Sequence, residues 1–592
     1  MENQNIPQIL EKLVEEFPDH IVAGDEYRSI TYNELNKRAN QLAAYIVKYI
    51  GKESNQISML IEHGIDQVLA ILAILKAGKC YIPLDINFPP ERNKIYLDDS
   101  DSVLIIANNN TYNKALELTS SVRIINLDEI PENLPDHNLT LSFSPDCRAV
   151  IYYTSGSSGK PKGVVHTHNS LIFSISSWPL SQNDIILNVF SCSFTIHHIP
   201  VFGALLNKAT VEFFDIKKHS LSAMKAYFTE RKISICIIVT SVFRQFLDTL
   251  PGCEPGIFKN LKNLITTGDP LYRNDVLKIF NIISNDLRII NMYGSTETLA
   301  VTYCEVNKDT ILTDTIIPVG HPPEYVEISI YGENGRICKE YEIGKLHVKS
   351  PQVASGYWKH PELSHQFITD NDDKTLRTFI TNDIGFRRTD GCIVLAGRDD
   401  TVVKVRGNTV DLSEIEKHIM ENDTVREAFV VQKEYNSHTY LIAYYTTKFE
   451  TYQVEFKIRK YLEENLPHFM LPDFYIYLKH LPKTESGKIS RKEFPEPEWS
   501  SLLIKREYVS PESEIERSIV AIFERVSGIS PVGINQNIFD LSIDSLRILV
   551  IIDEIEKLFK TKIIPENVIN APYISKIAEL VMKSLKNEHP DK

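Results

Sequence analysis

The chain has 592 residues, too many for one hydrophobic core and enough for roughly three to five domains. Its net charge of -14 argues against a general binder of nucleic acid or anionic membranes. No apolar run approaches the ~20 residues that span a bilayer. Met1-Glu2-Asn3-Gln4-Asn5 offers neither a basic start nor an apolar signal region, so a cytoplasmic location is expected. The eight cysteines contain no Cys-x-x-Cys pair, a pattern of reduced thiols rather than of structural zinc.

From residue 6 to about 390, helical and strand patterns alternate. Ile9 and Leu10 with Leu13 and Val14 form a helical stripe. Tyr32 to Ile50 reads as a longer helix, with Leu35, Ala39, Leu42, Ala43 and Ile46 on one face. Val103 to Ile106 and Ile235 to Val239 are continuous apolar runs, suited to strands buried on both faces of a mostly parallel sheet. The alternation predicts an α/β architecture. Cys392 to Ala396 and Val402 to Val405 read as strands separated by the polar turn Gly397-Arg398-Asp399-Asp400. Phe494-Pro495-Glu496-Pro497-Glu498 is a break expected to end a domain. Beyond it, Pro511 to Val526, Ser545 to Phe559 and about 574 to 585 are amphipathic, predicting a small helical bundle.

Two stretches carry chemistry. Thr154-Ser155-Gly156-Ser157-Ser158-Gly159-Lys160-Pro161-Lys162-Gly163 follows a strand-like run. Its hydroxyls and backbone N–H groups can donate to phosphate oxygens, its glycines permit close approach, and its lysines add positive charge. It is not a Walker A loop, because the Gly-Lys-Ser/Thr ending is missing. Far downstream, Asp544-Ser545-Leu546 opens an apolar helix.

The phosphate loop resembles the signature of the adenylate-forming enzymes, which include acyl-CoA synthetases, luciferases and adenylation domains of nonribosomal peptide synthetases. Further motifs match in order. Leu75 to Asp85 with Pro90-Glu91-Arg92 is similar to the peptide-synthetase branch. Asn291-Met292-Tyr293-Gly294-Ser295-Thr296-Glu297-Thr298, Gly356-Tyr357-Trp358, Asn382-Asp383, Gly397-Arg398-Asp399-Asp400, Lys404-Val405-Arg406-Gly407, Asn465-Leu466-Pro467 and Thr484-Glu485-Ser486-Gly487-Lys488 follow. The resemblance covers residues 6 to 495. It implies a large α/β domain at 1–396 and a small mobile α+β subdomain at 397–500.

The same resemblance implies roles. Thr154 to Lys160 would hold phosphates, Thr296 would bind the nucleotide within the adenine and magnesium motif, Tyr293 would stack on adenine, and Asp383 would accept from the ribose hydroxyls. Arg398 would contact the ribose or phosphate side. Glu297 would hold Mg²⁺, a hard cation that takes carboxylate oxygen. Lys488 would be catalytic, neutralising charge between the attacking carboxylate and the α-phosphate of ATP. Asp400 would be the hinge on which the small subdomain swings between adenylation and thiol transfer.

Asn537 to Leu546 resembles the 4'-phosphopantetheine site of carrier proteins, with Ser545 as the attachment point and a carrier domain at 508–588. Ser542-Ile543-Asp544-Ser545 is closer to acyl carriers of polyketide or fatty-acid type than to peptidyl carriers, which usually show Gly-Gly-His/Asp-Ser. The implied cofactors are ATP, Mg²⁺ and 4'-phosphopantetheine. The implied partners are a small carboxylic acid, a phosphopantetheinyl transferase, and a condensation or ketosynthase domain acting in trans, with no nucleic acid and no membrane.

Enzymes of this branch that load α-amino acids usually place an aspartate where this chain has Thr195. A buried ammonium without a counter-charge costs several kcal/mol, on the order of 3–5. Aligning the remaining pocket gives Ile196, Ile199, Ser241, Ile265, Thr267, Met292, Ala300 and Val301, with no acid among them. That pattern suits a fatty, aryl, hydroxy or keto acid. His197-His198 lack a third metal-ligand motif and read as pocket lining or gate. The leading expectation is an acid–carrier-protein ligase that forms acyl-AMP and loads its own carrier, the starting step of nonribosomal peptide or polyketide synthesis. The alternatives are an amino-acid-loading didomain, a free-standing acyl-CoA ligase and a non-catalytic carrier module.

Overall fold

The computed structural model describes residues 4–588 apart from 52–55, 155–160, 177, 179, 251–255, 284–285, 333, 399–401, 406–407, 423, 436–437, 448–453, 483–493, 498, 500–508, 528–529, 537, 539–542, 544 and 571–572. Helix Tyr32–Ile50 begins with a capping box: Thr31 accepts from the backbone of Glu34, and the Glu34 side chain returns to Thr31. It ends at Gly51, whose φ of 74° few side chains adopt. Its apolar stripe packs on Ile65–Lys76, a helix buried on nearly all sides.

These helices belong to a core shared by two large sheets. One runs, edge to edge, Leu299–Val306, Arg288–Ser295, Asn263–Thr267, Ile235–Val239, Ile185–Asn188, Thr210–Phe213, Ile21–Gly24 and Ser29–Thr31. Its six inner strands are parallel and its two outermost pairings antiparallel. The other runs Gly356–Tyr357, Lys162–Thr167, Arg148–Thr154, Cys80–Pro83, Gln56–Leu60, Ser102–Ala107 and Arg123–Asn126. A five-stranded sheet containing Arg377–Arg387 and Ile393–Arg398 has its own core around Val301, Ile328 and Leu346.

A smaller α+β unit follows. Strands Val425–Tyr435, His438–Thr447 and Phe474–Tyr477 bear helices Leu412–Met420 and Val454–Asn465 on one face. The Pro/Glu break packs on the other face. Phe494 stacks on Phe429 at 4.9 Å, Trp499 stacks on Tyr435 at 4.6 Å, and the Tyr444 hydroxyl donates to the Pro495 carbonyl. The proline-rich stretch therefore stays part of this unit through Trp499, because aromatic burial outweighs its lack of regular structure.

The last unit has a separate core of Ile519, Phe523, Ile548, Ile552, Ile555, Ile577 and neighbours. Its first helix is Glu514–Ser527, three residues later than the apolar pattern places it. Ser513 explains the shift: its hydroxyl accepts from the Glu516 N–H, and Glu516 accepts from the Ser513 N–H. Helices Ser545–Phe559 and Ile574–Glu588 complete the bundle, with a short helix Pro565–Asn570 that sequence reading did not foresee. Among the described residues no helix is long and apolar enough to cross a membrane.

Candidate active site

Parallel strands place ligands at their carboxyl ends. Here the chain leaving those ends, with the small unit and the helical bundle, encloses a cavity of about 1560 Å³. Thr154, Ser191, Thr267 and Met292 reach it from the two large sheets. Lys404, Asn408 and the segment from Leu466 to Asp473 close it from the small unit, and Ile543, Leu549 and Tyr573 from the bundle.

One rim gathers residues that suit a nucleotide and a hard cation. The Tyr293 hydroxyl donates to Asp383 at 2.6 Å, and Asp383 is 6% exposed. In the ladder Asp383 lies opposite Arg398, whose strand continues two residues into the stretch read as a turn. Thr296 lines the cavity, and Glu297 accepts from the Tyr357 hydroxyl at 2.9 Å. Lys162, opposite Thr154 in its ladder, has its ammonium 5.1 Å from the Tyr357 ring centre. Asp383 beside Tyr293, and Glu297 and Lys162 about Tyr357, make a donor set whose chemistry fits ribose, Mg²⁺ and phosphate.

This rim is held by His166 and Gln352, which motif reading missed, and by Gly294 within the quoted motif. His166 Nε2 donates to the Thr296 carbonyl at 2.7 Å, and burial pulls that imidazole down to about 3, so it stays neutral. Gln352 donates to the carbonyls of Thr298 and Ala300. At Gly294 a Cβ would lie 2.0 Å from the Leu299 carbonyl oxygen, so a side chain there would push the two strands apart. The signal for these residues is long-range packing, which no local pattern carries.

A second sector is mostly apolar. Thr195 and Ile196 start the short helix Thr195–His197, and Ile199 lies on His198–Asn207. They share the wall with Val239, Val242, Thr267, Gly268, Met292, Leu299 and Ala300. Three expected pocket residues are not on the wall. Ser241 turns to donate to Asp269, Ile265 is buried within the sheet, and Val301 points into the neighbouring core. Alternation along the strand explains Val301, since adjacent Ala300 takes the cavity side. His198 lines the cavity with both nitrogens engaged, by the Thr195 carbonyl and the Ser174 hydroxyl. Burial holds it down to about 4, against the opposing effect of the Thr195 carbonyl, so it brings no charge at neutral pH.

Asp85, the buried carboxylate among the described residues on the wall, is already committed. Asp85 accepts from the hydroxyls of Ser191 and Ser193 at 2.7 and 2.8 Å and from the Asn87 backbone at 2.9 Å. Burial works to raise its carboxyl, but Lys217 and these donors prevail and hold it below the usual range.

Contacts between units fix their arrangement. Arg92 and Glu414 form an ion pair with side chains 3% and 0% exposed, linking the large domain to the small one. Phe88, Phe194 and Phe469 cluster beside it, with ring centres 6.2 to 6.5 Å apart. Helix Ser545–Phe559 rests on Leu221–Glu230 and Thr240–Asp248; Leu549 joins the large core, and Lys557 donates to the Thr249 carbonyl. Ser545 opens that helix two residues after Ile543 on the cavity wall. Residues 155–160, Asp400 and Lys488 lie outside the described residues.

Comparison with known proteins agrees with this layout. Residues 10–358 match the AMP-binding enzymes, 414–488 the C-terminal domain of AMP-binding enzymes, and 517–581 the phosphopantetheine attachment site. Tyrocidine synthase 1 of Brevibacillus parabrevis is 29% identical over 597 residues, spanning 99% of this chain and 53% of that protein. Gramicidin S synthase 2 of Aneurinibacillus migulanus is 31% identical over 604 residues, spanning 99% of this chain and 13% of that protein. The chain thus spans about half the length of the first relative and far less of the second. Holo-PA1221, a nonribosomal peptide synthetase protein with adenylation and carrier domains solved with a vinylsulfonamide inhibitor, shares the fold. Its TM-score is 0.81 at 20% identity, covering 98% of this chain and 97% of that one.

Proposed function

The chain belongs to the AMP-binding enzymes and joins an adenylation domain to a carrier domain, and from that premise we propose that it loads a carboxylic acid onto its own carrier. The acid's carboxylate attacks the α-phosphorus of ATP, forming acyl-AMP and releasing pyrophosphate. The acyl group then passes to a thiol, forming a thioester and releasing AMP. When bound to Ser545, 4'-phosphopantetheine supplies that thiol.

The observation that carries this reading is one cavity lined by Thr154 and Thr296 of the nucleotide motifs, by the apolar sector and by carrier residue Ile543. In the first half, Asp383 and Tyr293 would orient the nucleoside, Glu297 would hold Mg²⁺, and Thr154 to Lys160 would hold phosphate oxygens. Arg398 and Lys488 keep the roles the resemblance implies, with Asp400 as hinge. The seat of the carrier bundle on the large domain, with Ile543 on the cavity wall, supports a pose suited to the second half, and the Arg92–Glu414 contact ties the small unit into it. Domain limits at 396, 500 and 508 belong to the same proposal, as do a phosphopantetheinyl transferase and a downstream condensation or ketosynthase domain.

The acid is one without a standard α-amino group: fatty, aryl, hydroxy or keto. Supporting this are Thr195 at the cavity wall, neutral His198 and the saturated Asp85. A hydroxyl at Thr195 can bond an α-oxygen but cannot neutralise an ammonium. An amino acid is the second reading, favoured by likeness to a nonribosomal peptide synthetase protein over almost the whole chain. ATP–pyrophosphate exchange with matched amino, hydroxy, keto, aryl and fatty acids separates the two. Exchange with an amino acid alone would overturn the substrate class. Thr195→Asp should reduce exchange with the preferred acid about 100-fold, the effect of burying an unpaired charge beside it. Unchanged exchange would remove Thr195 from the pocket.

The ion pair gives a further prediction. Glu414→Gln leaves Arg92 buried without its counter-charge only in this pose, at a cost on the order of 3–5 kcal/mol. Thioester formation should slow at least about tenfold while pyrophosphate exchange stays near wild type. Equal losses in both half-reactions would mean that the pair serves stability alone.

A further inference from the structure

We propose that His321, Asp390 and Cys392 form a Zn²⁺ site, at the turn of the hairpin made by strands Arg377–Arg387 and Ile393–Arg398. Among the described residues these three bring an imidazole nitrogen, a carboxylate oxygen and a thiol sulfur within 4.8 Å of one another. Zn²⁺ takes this donor mixture, whereas Mg²⁺ and Ca²⁺ prefer oxygen alone. A tetrahedral zinc needs its ligands about 3.5 Å apart, so the side chains must close in by about 1 Å. His321 and Asp390 are exposed, so closing in by that amount does not disturb the core, while Cys392 is buried.

The backbone builds the juxtaposition. Gly320 and Ile393 form an antiparallel bridge with both hydrogen bonds, N–H to carbonyl, at 3.3 and 2.8 Å. One step along that register sets His321 opposite Cys392, in the non-hydrogen-bonded pairing where side chains on one face approach most closely. Asp390 is brought in by the tight turn. The Gly391 N–H donates to the Arg388 carbonyl, Gly391 has a φ of 85°, and Asp390 Oδ1 accepts from the Cys392 N–H at 2.9 Å. That leaves Oδ2 for a cation. His321 Nε2 lies 3.2 Å from the Asp390 carbonyl oxygen. An N–H directed there keeps the ring beside the turn, the kind of hydrogen bond that orients metal-bound imidazoles.

The cysteine spacing that excludes a Cys-x-x-Cys zinc site does not bear on this one, which takes a single thiolate from one strand and an imidazole from another segment. Three protein ligands leave one position for water. The site lies at the opposite end of the hairpin from Asp383 and Arg398, so its role is to fasten the turn to residues 320–321 rather than to react. The site stands independently of the proposed loading function.

The test is a Co²⁺ titration of the chelator-treated full chain, followed by competition with Zn²⁺. One equivalent should bind with a thiolate-to-cobalt charge-transfer band, and zinc should displace it. Cys392→Ser should abolish the band, and Cys147→Ser, at an exposed thiol elsewhere, should leave it intact. His321→Gln changes an exposed side chain and should fold; it should weaken Zn²⁺ binding at least about 100-fold, the upper end of what changes to a metal's outer partners cause. Absence of the band in the wild-type chain overturns the site. So does a band that survives Cys392→Ser, or wild-type zinc affinity in a folded His321→Gln chain.

Discussion

Ser545→Ala will leave acid-dependent ATP–pyrophosphate exchange at its wild-type rate and abolish covalent loading. Exchange needs only the nucleotide rim and the apolar sector, all supplied by the large domain and Lys488. Loading needs a thiol that the apoprotein lacks, and Ser545, opening helix Ser545–Phe559, is the proposed attachment point. The substitution removes one oxygen and retains a residue that a helix start accepts, so the core around Ile548 and Ile552 should be unaffected. Free CoA provides a control. If Ser545→Ala protein turns over acid and ATP with CoA as fast as the wild-type holo form loads itself, the chain is an acyl-CoA ligase with a dispensable tail. Full-rate acylation of the mutant would defeat the loading proposal.

Lys488→Ala will lower pyrophosphate exchange about 100- to 1000-fold, the range seen when one group aimed at developing transition-state charge is removed. The attacking carboxylate and the α-phosphate are both anionic, and a compact ammonium between them counters their repulsion. The role is confined to the first half-reaction. Preformed acyl-adenylate given to the holo Lys488→Ala protein should therefore load at close to the wild-type rate. Near-normal exchange would refute the assignment. Equal loss with preformed adenylate would make Lys488 a structural residue or one used in both halves.

Local chemistry made much of the fold legible. Thr31 and Glu34 at capping-box spacing and Gly51 at the end delimit Tyr32–Ile50, and the β-branched run Ile235–Val239 is a strand with the same bounds. Ordered motifs likewise singled out Tyr293 and Asp383, which the structure brings into hydrogen-bond contact, and Thr296, which lines the cavity. What sequence could not give depends on three dimensions. Whether Ile265 or Val239 faces the cavity is decided by how adjacent strands end, and Val301 was misplaced by one step of strand alternation. Asp85 meets Ser191 across 106 residues, Arg92 meets Glu414 across 322, and His321 meets Cys392 through a bridge that no periodicity announces. At the Pro/Glu break the prolines mark the end of regular structure, while the stacking of Trp499 on Tyr435 keeps the stretch packed on the small unit, a contact that no local pattern announces.

Self-loading is tested most directly by intact-protein mass spectrometry. The chain is treated with a phosphopantetheinyl transferase and CoA, then with ATP, Mg²⁺ and the acid panel. The account predicts a pantetheine-sized gain located at Ser545, followed by a second, ATP-dependent gain equal to one acyl group from an acid without an α-amino group. A holo protein that supports pyrophosphate exchange with an acid, yet never acquires that acyl mass, would contradict it.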